Sequence, residues 1–175
     1  MRRGFSRLRD PLLLICVSQF CIAMGETLIE PILPLFAMSF NISYAIVGLV
    51  VSSFGFTRVV GEIPGGILTD RIGKKLLILL GYVLSSASYV IGGFSQSYIE
   101  LMVSRMILGM VSAIQLTASL TYIGDITTTR EREKHVALFQ STYSIAGIIG
   151  PTLGGIISSF FNMRSIFFFQ LQYLQ

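Results

Sequence analysis

The sequence predicts an all-α integral membrane protein, and three observations carry that prediction. Of its 175 residues, 53% are hydrophobic and 13% are charged, against about 25% charged in an average soluble domain. Mean hydropathy is +0.74. The apolar residues are also gathered into long runs separated by short polar turns. So little charge cannot coat a water-soluble globule of this length. A disordered chain is excluded too, because it needs low hydrophobicity and high net charge. Two cysteines exclude a disulfide scaffold.

Crossing a hydrocarbon core of roughly 30 Å takes about 20 helical residues. Five runs meet that length and a sixth begins. The first, about 11–38, contains Glu26 and Glu30. Near its far end Pro31 and Pro34 lie a turn apart, which suits a bent helix whose neighbours satisfy the freed carbonyls. The second, about 44–68, carries Arg58 and Glu62, and the third, about 76–94, is uncharged. The fourth, about 98–122, has Glu100 and Arg105 near its start, and the fifth, about 136–160, is again uncharged. The sixth, 166–175, amounts to roughly 15 Å of helix, too short to span.

Alternate turns carry the positive charge. Arg2, Arg3, Arg7 and Arg9 precede the first run, Arg71, Lys74 and Lys75 follow the second, and Arg130, Arg132 and Lys134 follow the fourth. The opposite turns hold only Arg164. By the positive-inside rule, residues 1–10 form a cytoplasmic segment and the chain weaves from there. Ten of the thirteen Lys and Arg residues therefore set orientation, and a nucleic-acid partner is not expected. The Arg2-Arg3 pair faintly resembles a secretion signal, but the following run exceeds a 7–15-residue signal core and has no small-residue cleavage site. Cys16 and Cys21 are five positions apart in one run and read as packing residues, while His135 stands alone, so no metal site is expected.

Ionisable residues near a bilayer centre cost about 2.5–3.5 kcal/mol each on insertion scales. Glu26 and Glu30 are four apart and share a helix face, as do Arg58 and Glu62. At about 1.5 Å per residue, Glu26 lies roughly 18 Å and Arg58 roughly 21 Å below the outer end, with Glu30 at roughly 12 Å and Arg105 at roughly 9 Å. Direct pairs of Glu26 with Arg58 and of Glu30 with Arg105 are therefore open. Such pairs have two readings. They can simply clamp helices together, or they can line a water-accessible cavity in which a carboxylate exchanges a proton. Low-dielectric walls favour a neutral carboxyl and a nearby guanidinium favours the carboxylate, a competition that a proton-driven machine can use. Glu26 or Glu30 would then titrate, with Arg58 or Arg105 modulating.

Between the second and third runs stands Gly66-Ile-Leu-Thr-Asp70-Arg71-Ile-Gly73-Lys74-Lys75. Gly66 permits close helix approach and Gly73 a tight turn with positive φ. Asp70 can face a helix N-terminus. The string resembles the loop signature of the major facilitator superfamily. Leu101-x-x-x-Arg105-x-x-x-Gly109 resembles that family's fourth-helix signature, in which the arginine is associated with proton coupling. Asp125, ahead of Glu131-Arg132-Glu133-Lys134, is similar to the family's cytoplasmic fourth-helix end, where an aspartate latches the basic loop. Residues 53–58 match family second-helix sequence more loosely.

Ala146, Gly150, Gly154 and Ser158 recur every fourth residue of the fifth run, a smooth face for close packing, and Pro151 should kink it. The order Gly147-x-x-Gly150-Pro151-x-x-Gly154-Gly155 also resembles the signature of the family's proton-driven drug and metabolite exporters.

The resemblance implies an amino-terminal six-helix bundle, truncated in its sixth helix, of a carrier that moves a small molecule across the plasma membrane, most readily as a proton-coupled efflux antiporter. No enzymatic chemistry and no cofactor is implied, the proton gradient being the driving force. Residues 163–168 resemble a sixth-helix start. Such carriers have two bundles with substrate between them. The missing carboxy-terminal half, or a second copy, is therefore an expected partner alongside the bilayer. Alternatives are half of an uptake symporter, or a non-transporting accessory protein or inactive fragment.

Overall fold

The computed structural model describes the backbone of residues 2–160 and the side chains of residues 11–160. Its elements are α1 (Arg2–Ile29), α2 (Leu33–Met38), α3 (Tyr44–Ile72), α4 (Lys74–Phe94), α5 (Tyr98–Ile126) and α6 (Thr129–Phe160). Five helices, α1 from Pro11 onward and α3 to α6, are long and apolar enough to cross a membrane. The expected sixth run, with the Arg164 turn and the 163–168 motif, lies outside the described residues.

The first run is two helices rather than one bent one. Pro31 lacks an N–H and its ring clashes with the carbonyl a turn back, so α1 stops at Ile29 and a turn follows, closed by Ile32 N donating to Ile29 O at 3.0 Å. Pro34 then falls in the first turn of α2, where a missing donor costs nothing. Pro64 and Pro151 behave differently, since α3 and α6 continue through them.

Helix ends overrun the apolar runs on the side of the basic turns. The basic turn expected at 70–75 shrinks to Gly73, between the end of α3 at Ile72 and the start of α4 at Lys74. Likewise only Thr127 and Thr128 separate α5 from α6. Hydropathy marks where hydrocarbon ends, whereas Arg, Lys and Glu continue a helix readily in water. On the other side the starts are capped. Ser97 Oγ accepts from Glu100 N at 3.3 Å while Glu100 Oε2 accepts from Gln96 N at 2.8 Å, close to a capping box.

In the bundle α5 packs along α3 and α4, α1 along α6, and α2 against α3. Small residues bring the backbones together. A Cβ on Gly61 would lie 3.1 Å from Ala113 Cβ, and one on Gly65 3.2 Å from Ile114 Cα. Across α4 and α5, Ser104 Oγ donates to Ser88 O at 2.8 Å and Ser88 Oγ to Ser104 O at 2.5 Å. Other hydroxyls bond back within their own helix, as Thr57 does to Ser53 O at 2.9 Å, which satisfies them where lipid offers no partner. Two apolar clusters result. One joins Ile29, Leu33, Phe36, Val50, Leu101 and Leu108, and one nearer the basic turns joins Leu12, Cys16, Ile123 and Phe139. Outward-facing Ile63, Val83 and Ile148 stay exposed, as a hydrocarbon surround requires.

Candidate functional site

Between the apolar clusters lies a polar layer built from all five long helices. Glu26 of α1 is 3% exposed, and Ser112 Oγ of α5 donates to its Oε1 at 2.6 Å. Arg105 of α5 is equally buried, with its guanidinium carbon 4.8 Å from the centroid of the Phe54 ring on α3. Arg105 Nε and Nη1 have no hydrogen-bond partner among the described residues. Arg58 of α3 is half-buried. Its Nη1 donates to Tyr143 Oη of α6 at 3.2 Å, and its guanidinium carbon sits 5.4 Å from the Tyr143 ring and 5.9 Å from that of Phe54. Tyr89 of α4 is buried within electrostatic reach of Glu26 and Arg105.

The two direct pairs open in the sequence are not made among the described residues, where the ion pair within 4 Å is Lys74 with Asp125. Hydroxyl groups intervene instead, Ser112 taking the Glu26 carboxylate and Tyr143 the Arg58 guanidinium. Arg58 and Arg105 still act on Glu26 through space, as does Glu30. Glu30 itself sits in the proline-enforced turn after α1 and is exposed, off the helical face that carries Glu26. Glu62 is also exposed. Guanidiniums resting on aromatic faces gain about 2 kcal/mol or more when desolvated, which explains how two cations persist here with one buried carboxylate.

Sequence reading missed Ser112, Tyr143 and the aromatic platform of Phe54. Depth arithmetic could have found Ser112, which lies fourteen residues into α5, as Arg58 does into α3. Tyr143 offered no comparable signal. A cavity of about 940 Å³ lies elsewhere, between the amino-terminal halves of α1 and α6, and none of the intramembrane charges lines it.

At the corner between α3 and α4, Gly73 has φ 95°, the backbone the tight turn demanded. It delivers Lys74 onto Asp125 at the end of α5. Arg132 of α6 covers the neighbouring Gly124. Asp70, Arg71 and Lys75 are exposed. Gly66 faces open space rather than another helix, and the close approach falls to Gly61 and Gly65 on the adjoining face.

In α6 the glycines divide. A Cβ on Gly150 would overlap Thr27 Oγ1 and one on Gly154 would overlap Leu28 O, while Gly147 and Gly155 have nothing within 4 Å. Thr27 Oγ1 completes that seam by donating to Ala146 O at 3.0 Å. Gly109 of α5 plays the same part against Phe54 O and Thr57 Oγ1 of α3.

The family model described as Major Facilitator Superfamily matches residues 15–171. The chain belongs to that superfamily. It is 30% identical to Multidrug resistance protein 2 of Bacillus subtilis over 97% of this chain and 42% of the relative. To the quinolone resistance protein NorA of Staphylococcus aureus it is 28% identical, over 85% of this chain and 38% of the relative. A crystal structure of peptide transporter POT superposes with a TM-score of 0.85 at 16% identity, covering 94% of this chain and 35% of that one, a likeness of fold. The chain thus spans about two-fifths of the length of these relatives. As a superfamily member it is a multi-pass membrane protein of a transporter family, not an enzyme family.

Proposed function

We propose that this chain is the amino-terminal bundle of a proton-coupled exporter of small molecules, in the plasma membrane with its amino terminus cytoplasmic. The observation that carries the reading is Glu26, a carboxylate buried at mid-membrane depth, held by one hydroxyl and faced by two guanidiniums. A clamp would bring the carboxylate into direct contact with a cation. Here the carboxylate and both guanidiniums are kept apart, so Glu26 can exchange a proton without breaking a buried ion pair.

The resistance functions in the names of the two bacterial relatives support efflux, and so does the Gly147–Gly155 motif packed on α1. The driving force is the proton gradient, with no bound cofactor. A second bundle supplies the other wall of the substrate cavity, so exposed Glu30 and Glu62 become cavity or interface residues. The Lys74–Asp125 bridge, with Gly73 shaping its turn, acts as the cytoplasmic latch.

A lipophilic cationic dye tests the site on the purified chain. If proton and cation compete for Glu26, dye binding falls as pH is lowered, and Glu26→Gln removes that dependence. Binding that keeps its pH dependence in the variant would show that another group is responsible. In proteoliposomes holding both bundles, dye should move only under an imposed pH gradient, and gradient-independent flux would overturn the coupling.

A further inference from the structure

We infer that Tyr143 is a positioning residue that keeps Glu26 able to take up a proton, by holding the Arg58 guanidinium on α6 and off the carboxylate. The inference rests on Glu26 being the titrating group and adds the control of that titration. Its basis is the division of labour among the two arginines. Arg105 is fully enclosed on the Phe54 face. Arg58 is half-exposed and stays where it is through Tyr143, which supplies both a hydroxyl acceptor at 3.2 Å and a ring face at 5.4 Å. The bond also spans helices from different packing pairs, since α3 packs along α5 and α6 along α1.

The groups acting on Glu26 are Arg58 on α3, Tyr89 on α4, Arg105 and Ser112 on α5, and Glu30 in the turn after α1, while Tyr143 on α6 reaches it through Arg58. Among the cations only Arg58 has a tether that one atom can release. Without the Tyr143 hydroxyl, Nη1 loses its acceptor in a medium where a charge cannot remain unsatisfied cheaply. The acids within its electrostatic reach are Glu26 and Glu62. Falling onto Glu26 would create the direct ion pair that the present arrangement avoids, and a paired carboxylate resists protonation.

Infrared titration of the full chain in lipid nanodiscs tests this through the protonated-carboxyl stretch that disappears in Glu26→Gln. Tyr143→Phe keeps the ring and should move the midpoint of that band to lower pH by about one unit or more. Arg58→Gln should move it to higher pH, and in that background Tyr143→Phe should add nothing. An unchanged midpoint in either single variant overturns the inference, as does an equal Tyr143→Phe shift with and without Arg58. If Glu26→Gln removes no titrating band, the proposed proton site falls as well. A band that titrates but ignores Tyr143→Phe removes the positioning role alone.

Discussion

Single atoms decide what the glycines of this bundle do. Four stand in the nine-residue stretch 147–155, Gly147, Gly150, Gly154 and Gly155, and the sequence marks them alike. In space Gly150 and Gly154 lie against Thr27 and Leu28, whereas Gly147 and Gly155 face open space. Gly150→Ala must therefore push α6 off α1, an overpacking that costs about 1–3 kcal/mol. Gly155→Ala meets nothing and gains about 0.5–1 kcal/mol from a stiffer helix. Thermal unfolding of the two variants in the same detergent should move in opposite directions. Equal destabilisation would mean that both faces of α6 are packed. The periodicity made the seam legible, because Ala146, Gly150 and Gly154 share one face. What the period could not say is which helix would lie there.

At the scale of elements, the membrane runs were legible and their ends were not. Hydropathy located every described span, yet α3 continues to Ile72 and α6 starts at Thr129, because polar residues extend helices beyond the hydrocarbon. The consequence is a rigid corner in place of a loose basic loop. Gly73 turns α3 into α4 with φ 95°, so Lys74 meets Asp125 without slack. The Asp125 side chain is 57% exposed, and a bridge that open contributes about 0–1 kcal/mol. Asp125→Asn should hence leave the denaturation midpoint nearly unchanged while loosening the corner. A spin-label pair at the corner ends of α4 and α5 should show a broadened distance distribution in Asp125→Asn, restored by the charge swap Lys74→Asp/Asp125→Lys. An unaltered distribution would deprive the bridge of any latching role.

For the whole molecule, the order of hydrophobic runs and the alternation of basic turns were enough to place it among membrane bundles, because bilayer thickness and insertion bias act on composition directly. The site was legible only in part. Glu26, Arg58 and Arg105 stood out because charge in hydrocarbon is costly, and depth arithmetic put Glu26 and Arg58 at one level. Their partners did not follow, since Ser112 and Tyr143 are unremarkable residues whose roles depend on helix rotation. Sidedness offers the sharpest test at this scale. The α3–α4 and α5–α6 corners carry Arg71, Lys74, Lys75, Arg130, Arg132 and Lys134, while the α4–α5 turn at 95–97 carries no charge. With Cys16 and Cys21 replaced by alanine, a cysteine at Gln96 should react with a membrane-impermeant maleimide added to intact cells. One at Lys75 should react only after the membrane is opened. Labelling of Lys75→Cys from outside would invert the bundle, place the Lys74–Asp125 corner on the outer face and end its assignment as a cytoplasmic latch.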